Sequence, residues 1–386
     1  MSIYNGQGEL IDIEAKVDTF DVPIITGVCP HVYITCDGVN LSELGSTNVN
    51  GTLEFDDGKT KFTLYTKMKA QGDQSLGYNQ KQINATLYSD EACKTKQKVR
   101  FNDWMPLSKF HIKSHPQDPL QARNPVVASM MQKLMGTRLP MGAWGFIKAF
   151  PVIVHWNGEF VGCYNWTTPQ DGKTFNFDDD KELACENLAY RFSGEYRGDE
   201  DETADMTAVK DAIFAILNSD NLTKTTVEAH FDVTSILQMI CAVEWFAMGD
   251  VVGDNSLLVT WDGTKWYTLP YDFDWCCWGR TIFNGRKFIN DTATYLPITF
   301  LRKCELLYAD EIKDVYADMR KNGMDVDTLM SALTDYVRHW NYQDRADDVA
   351  KWSDNPYYAQ DANLDTVRST MTTRSAWADT LYEYTP

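Results

Sequence analysis

Two carboxylates and an amide stand at spacings that invite a chemical reading. Asp250 follows directly on an apolar helical stretch that carries Ile236, Ile240, Val243, Phe246 and Ala247 and stops at Gly249. Asn255 lies five residues beyond Asp250. Two short strand-like runs, 256–261 and 265–269, flank Asp262-Gly263 as a hairpin, which returns the chain to Asp272 and Asp274. Transfer of a phosphoryl group to a hydroxyl needs these parts. One carboxylate sits near the acceptor hydroxyl, and an amide oxygen and a second carboxylate hold the divalent ion that clamps the phosphates. On this reading Asp250 takes or orients the hydroxyl proton. Asn255 and Asp272 hold the metal, with Asp274 assisting. Hard oxygen donors of this kind suit Mg²⁺ or Mn²⁺.

An isolated D-x-x-x-x-N arises by chance, and Asp and Asn beside a turn are usually caps. The argument comes from the combination of helix end, hairpin and returning Asp272-Phe273-Asp274. Other chemistries find less support. Six His and nine Cys are dispersed without zinc-ligand spacing. The stretch 170–205 holds twelve acids and four bases, yet it lacks the twelve-residue calcium-loop pattern and reads as solvated surface. Paired acids among Trp275, Trp278 and neighbouring aromatics would suit a glycosidase, but that chemistry gives D-x-x-x-x-N no purpose.

The elements that must position these residues fall into two halves, an α+β organisation with a strand-rich part at 1–168 and a helix-rich part at 169–386. Short strands are expected at 24–28, 31–35, 51–55, 61–69, 80–88 and 110–114. A second hairpin, 150–156 with 160–166, is marked by Asn157-Gly158. Asp118 as cap and Pro119 at the first position predict a helix over 119–135, with Asn124-Pro125 as a second start. Further helices are expected at 181–192, 206–217, 224–230, 232–249, 300–321, 325–340 and 364–382.

Charge narrows the partners. With 36 Lys+Arg against 55 Asp+Glu, the formal charge of −19 opposes binding to nucleic acid or to an anionic membrane. The densest basic run, 94–100, reads as a solvated turn. No segment has the ~18 apolar residues of a membrane span, and the first residues do not resemble a secretory signal. A cytoplasmic or virion-associated location is therefore expected. Nine cysteines without a paired framework read as free thiols, although Cys29 and Cys36 could bridge a hairpin.

Protein kinases order their motifs as H-R-D-x-x-x-x-N, a short hairpin, then D-F-G. Asp250, Asn255 and Asp272-Phe273 follow that order. The segment Pro270-Tyr271-Asp272-Phe273-Asp274-Trp275 resembles the P-W-D-x-D segment of the spore-coat CotH family, atypical kinases. Val152, Asn157-Gly158, Gly162 and Tyr164 resemble that family's V-x-x-x-x-N-G-x-x-x-G-x-Y hairpin. Trp104, Leu107, Asp118 and Arg123-Asn124 resemble its W-x-L strand and D-x-x-x-x-R-N helix start. Gln71-Gly72-Asp73-Gln74-Ser75 and Lys81 stand where the family has R-G-x-S-S and a Lys pair, without that Arg.

The resemblance spans about residues 20–280. It implies a two-lobed protein-kinase-like fold and ATP-dependent phosphorylation of protein Ser or Thr. Lys81 and Lys113 are candidates for the nucleotide phosphates. Arg123 would orient a phosphate, pair with an active-site carboxylate, or form a structural ion pair. The 119–135 stretch contains no Glu, so the usual Lys–Glu pair cannot form there. The departures keep a second reading open: a catalytically degenerate kinase-like module in a phage tail or another surface assembly.

Overall fold

Lys61–Gln71 shows how the sequence builds the first part. Phe62, Leu64, Thr66, Met68 and Ala70 are buried, and every residue between them is half-exposed. This period of two makes a strand with one face on a core. The structure, a computed structural model, describes residues 2–4, 10–12, 18–24, 27–72, 74–140, 142–177, 182–188, 191–196, 203–252, 255–276, 285–290, 296–355 and 363–386. Asp254, Trp278, and the acidic runs 178–180 and 199–202 lie outside them.

Fifteen strands are described: β1 (Ser2–Tyr4), β2 (Leu10–Asp12), β3 (Thr19–Val22), β4 (His31–Thr35), β5 (Val49–Asp56), β6 (Lys61–Gln71), β7 (Gln82–Tyr88), β8 (Lys98–Phe101), β9 (Lys109–Lys113), β10 (Ala149–Trp156), β11 (Glu159–Thr167), β12 (Leu183–Leu188), β13 (Arg191–Tyr196), β14 (Ser256–Thr260) and β15 (Trp266–Pro270). The helices are α1 (Arg123–Met135), α2 (Gly172–Phe175), α3 (Ala204–Leu217), α4 (Lys224–His230), α5 (Val233–Trp245), α6 (Leu296–Leu307), α7 (Glu311–Lys321), α8 (Val326–Val337), α9 (Tyr342–Lys351) and α10 (Leu364–Leu381). The mixed α+β character expected from the sequence is what the chain adopts.

Two compact units arise, neither contiguous in sequence. The first comprises residues 1–125, 147–169 and 334–360; the second comprises 126–146, 170–333 and 361–386. The helix expected at 119–135 starts at Arg123, and most of its residues group with the second unit. Segment 334–360 groups with the strand-rich unit, whereas a division at residue 168 assigns it to the helical part.

In the first unit, strands run in the order β6-β5-β4-β10-β11-β9-β7, and β7 pairs back to β6, closing a seven-stranded barrel. β4 and β10 pair in parallel, and the other ring pairings are antiparallel. β6 is long enough to give one edge first to β1 at Lys61 and Phe62 and then to β7 from Tyr65 onward. Closure leaves no open edge in the ring. Phe55, Phe110, Phe150 and Trp166 of the ring and Phe101 of β8 pack together with their rings tilted or edge-on. The β10–β11 turn has Asn157 at φ 50° and Gly158 at φ 84°, the conformation for which Asn-Gly is selected. The Asn157 side chain also accepts from Cys36 N at 2.7 Å and donates to the carbonyls of Cys36 and Val39, tying the turn to the end of β4.

Residues 334–355 dress the outer face of β10 and β11. Trp340 packs on Ile153 and Cys163, and Tyr336 donates to Asn165 Oδ1 at 2.6 Å. From α9, Asp348 reaches the barrel wall. Its carboxylate accepts from Cys163 N at 3.1 Å, Gln80 Nε2 at 3.2 Å and Arg345 at 2.9 Å. Gly162, at φ 147°, leaves it room: a Cβ there would lie 2.2 Å from Asp348 Oδ1.

Several local expectations give way to pairing. The helix expected at 181–192 is instead the β12–β13 hairpin, because β14 offers an edge and Leu183, Ala184 and Cys185 bury against it in succession. The strand expected at 24–28 falls partly on residues outside the described set; the nearest described strand is β3, whose partner β8 takes up residues 98–100 at the end of the run read as a solvated turn. Val99 and Phe101 of β8 are fully buried. The helix expected at 300–321 breaks into α6 and α7, and α9 has no counterpart in the expected elements. Every described cysteine is a free thiol, including Cys29 and Cys36. Among the described residues no helix is long and apolar enough to cross a membrane.

Candidate active site

The site in the second unit is built from α5. Asp232 caps the helix by accepting from Ser235 N at 2.7 Å, and Arg138 holds Asp232 at 2.8 Å. Every residue from Ser235 to Trp245 is buried, so the axis is fixed on all sides. The helix ends abruptly: Ala247 takes φ 55°, a left-handed conformation costly for a residue with a Cβ. Met248 N then donates to Val243 O at 2.9 Å, and Gly249 N to Ala247 O at 3.0 Å. This turn delivers Asp250, half-buried, at the helix end.

Asn255 Nδ2 donates to Asp250 Oδ2 at 2.7 Å, so the two residues singled out by spacing are in direct contact. The loop between them is closed by Asn255 N on Val251 O at 3.2 Å, above the buried Val251 and Val252. β14 leaves immediately and returns as β15, with Ser256 opposite Pro270. Asp262 fixes the hairpin turn by accepting from the amides of Thr264 and Lys265, both at 2.7 Å. The register then places Tyr271 N on Asn255 O at 2.9 Å. Asp272 is therefore the next residue after one bonded to Asn255. It takes φ 53° and ψ 76°, a left-handed geometry that Asp and Asn tolerate better than most residues. A single turn, Phe273–Trp275, follows, with Phe273 buried and Asp274 half-exposed. Asp250, Asn255, Asp272 and Asp274 all belong to this unit.

The donors are oxygens of carboxylates and one amide. Asn255 offers nitrogen toward Asp250 and retains an amide oxygen as acceptor. Among the described residues, no three carboxylate, imidazole or thiolate groups gather where they could hold a metal ion.

Lys81, Lys113 and Arg123 belong to the first unit. Lys81 stands one residue before β7, and its Nζ donates to Leu76 O at 2.5 Å, inside the turn that begins at Gly72. Gly72 takes φ 101°, so glycine is required there. Lys113 ends β9 on the half-exposed alternation Lys109, His111, Lys113, opposite the buried Phe110 and Ile112. Arg123 is buried with its guanidinium 3.8 Å from Asp118, the structural ion pair among its three readings. Asp118 accepts from the amides of Leu120, Ala122 and Arg123 at 3.1, 2.7 and 2.6 Å. It thus organises the turn ahead of α1.

Spacing did not disclose a buried ion pair on the same helix. Glu244, on α5, is fully buried and accepts from the amides of Phe288 and Ile289 at 3.0 and 2.8 Å. Arg374, on α10, meets its carboxylate at 3.2 Å. Burial pushes the Glu244 carboxyl up, against the pull of those amides and Arg374. One signal was visible: a lone acid inside an otherwise apolar helical run must find a partner.

No curated protein matches the chain. The family model described as CotH kinase protein matches residues 70–341. That match begins at the end of β6, takes in the barrel from there to β11, and extends through the whole Asp250–Asp272 loop. The chain belongs to the CotH kinase family.

Proposed function

We propose that the chain transfers the γ-phosphoryl group of ATP to a Ser or Thr hydroxyl of a protein, with Mg²⁺ or Mn²⁺ as the companion ion. The observation that carries this reading is the 2.7 Å contact of Asn255 with Asp250, joined through Tyr271 to Asp272. Asp250 accepts the acceptor proton as the hydroxyl oxygen bonds to phosphorus and the bond to the β-phosphate oxygen breaks. Asn255 fixes the plane of the Asp250 carboxylate. Asn255, Asp272 and Asp274 would hold the cation, which when bound neutralises phosphate charge. Lys81 and Lys113 are proposed phosphate contacts. The strand-rich and helix-rich units are proposed to correspond to the two lobes of a protein kinase.

The test is a thermal-shift titration with ATP and Mg²⁺ or Mn²⁺, beside transfer of labelled phosphate to the chain itself and to an added acceptor protein. Ligand at one hundred times its Kd stabilises the folded state by ~2.7 kcal/mol. Asp272→Asn keeps a residue that tolerates φ 53° and should abolish both the shift and the transfer. No transfer by the wild type, together with an unchanged ATP shift in Asp272→Asn, would sink the proposal.

A second reading, a kinase-like assembly module without turnover, draws support from the bond of Lys81 Nζ to its own turn at Leu76. Under it, the wild type gives no nucleotide-dependent shift and instead forms a stable oligomer or associates with a larger particle.

A further inference from the structure

Segment 285–290 lies downstream of the Asp272 turn and has no helix or strand of its own to hold it. Buried charge holds it. Glu244 Oε1 takes two consecutive amides, Phe288 and Ile289. Arg374 donates from Nε to the Glu244 carbonyl at 2.6 Å and from one terminal nitrogen to Arg286 O at 2.7 Å. The guanidinium lies over Trp377, 3.9 Å from the ring centroid. Glu244 and Arg374 are 0% and 1% exposed. Such a pair is costly to bury and is tolerated only when its hydrogen bonds are complete.

The network ends at the turn that carries Asp250. Phe288, held by its own amide on Glu244, lays its ring against Gly249: a Cβ on Gly249 would come within 2.5 Å of Phe288 Cε1. Gly249 carries no left-handed φ, so the ring's proximity and not backbone freedom excludes a side chain there. The preceding residue but one, Ala247, is in a strained conformation that surrounding structure must enforce. Three elements distant in sequence, α5, 285–290 and α10, thus converge on the residue before Asp250.

We propose that Glu244 and Arg374 are positioning residues which, through the Phe288 ring pressed on Gly249, hold the Asp250 turn in the orientation that phosphoryl transfer needs. The catalytic part of this proposal rests on the phosphotransferase reading above; the mechanical part stands without it.

The experiment uses the full chain and four variants: Phe288→Ala, Glu244→Gln, Gly249→Ala and Gly249→Ala/Phe288→Ala. Hydrogen exchange of the amides of 246–252 reads the brace directly. It should accelerate ~10-fold or more in Phe288→Ala and Glu244→Gln, while exchange in the barrel strands stays unchanged. In transfer assays, kcat should fall ~10-fold in each single variant, with KM for ATP within about twofold. Because both substitutions act on one contact, the double variant should lose ~10-fold and not ~100-fold. Unchanged exchange at 246–252 in folded Phe288→Ala, or multiplicative losses in the double variant, would overturn the proposal. Should Glu244→Gln fail to fold, Phe288→Ala decides alone, since it removes only a neutral ring. A wild type that transfers no phosphate overturns the phosphotransferase reading and with it the catalytic part, while exchange still decides the brace.

Discussion

Asp348 should make the strand-rich unit respond to pH in the sense opposite to an ordinary ion-paired carboxylate. Its carboxyl is fully buried, and burial raises it to about 6, against the pull of Arg345, the Cys163 amide and Gln80. The unfolded value is near 3.8. A group raised in the folded state contributes its stability fully below the unfolded value and loses it as pH rises through the folded one. About two pH units at 1.36 kcal/mol each give a contribution of ~3 kcal/mol at pH 4 that is gone by about pH 7. Asp348→Asn supplies a neutral side chain of the same shape, so every other carboxylate cancels in the comparison. Denaturant unfolding of both proteins between pH 4 and pH 7.5 measures the difference. Relative to the variant, the wild type should lose ~3 kcal/mol across that window. A constant difference, or one that favours the wild type as pH rises, would mean that Arg345 and the amide donors outweigh burial.

Three further outcomes follow from contacts already described. Gly162→Ala forces a Cβ into Asp348 at φ 147° and should cost ~2–4 kcal/mol in chemical denaturation, since neither strain nor clash can relax without moving α9. Asn157→Ala removes the bridge to Cys36 and Val39 and leaves alanine at φ 50°; a loss of ~1–3 kcal/mol is expected, and Asn157→Gly should recover only the conformational share. Arg374→Met strands the Glu244 carboxylate in the core and should lower stability by ~3–5 kcal/mol, read as a drop in thermal midpoint.

Local chemistry was legible wherever a turn dictated it. Asn157-Gly158 and Asp262-Gly263 marked two hairpins within a residue or two, because their left-handed positions admit few residue types. The proximity of Asp250, Asn255 and the Asp272 turn was legible for a related reason. Asp250 and Asn255 meet inside one short loop, and the hairpin returns Asp272 after a fixed number of residues. What escaped depends on partners remote in sequence. Leu183–Leu188 carries no strand signal strong enough to beat a helical pattern until the edge of β14 is present. Glu244 and Arg374 are 130 residues apart, and no periodicity links them. Asp118 looked like an ordinary cap, yet it serves amides two, four and five residues on and so delays the start of α1. The closure of β7 onto β6 and the parallel pairing of β4 with β10 are properties of the ring, invisible to any window along the chain.

The membership of residues 334–360 in the barrel unit bears on how the chain is made. A ribosome releases β1 to β11 long before α9, and between them come the 164 residues of segment 170–333, which belong to the other unit. During that interval the outer face of β10 and β11 lacks Trp340, and the Cys163 amide lacks its carboxylate. The barrel emerging first is therefore an unfinished product, completed by a helix translated only after the whole of segment 170–333. A chain terminated at residue 341, where the family match also stops, would keep Trp340 and lose Asp348. Such a fragment is the natural object for asking whether synthesis from one end to the other delays maturation of the first unit until α9 has been made.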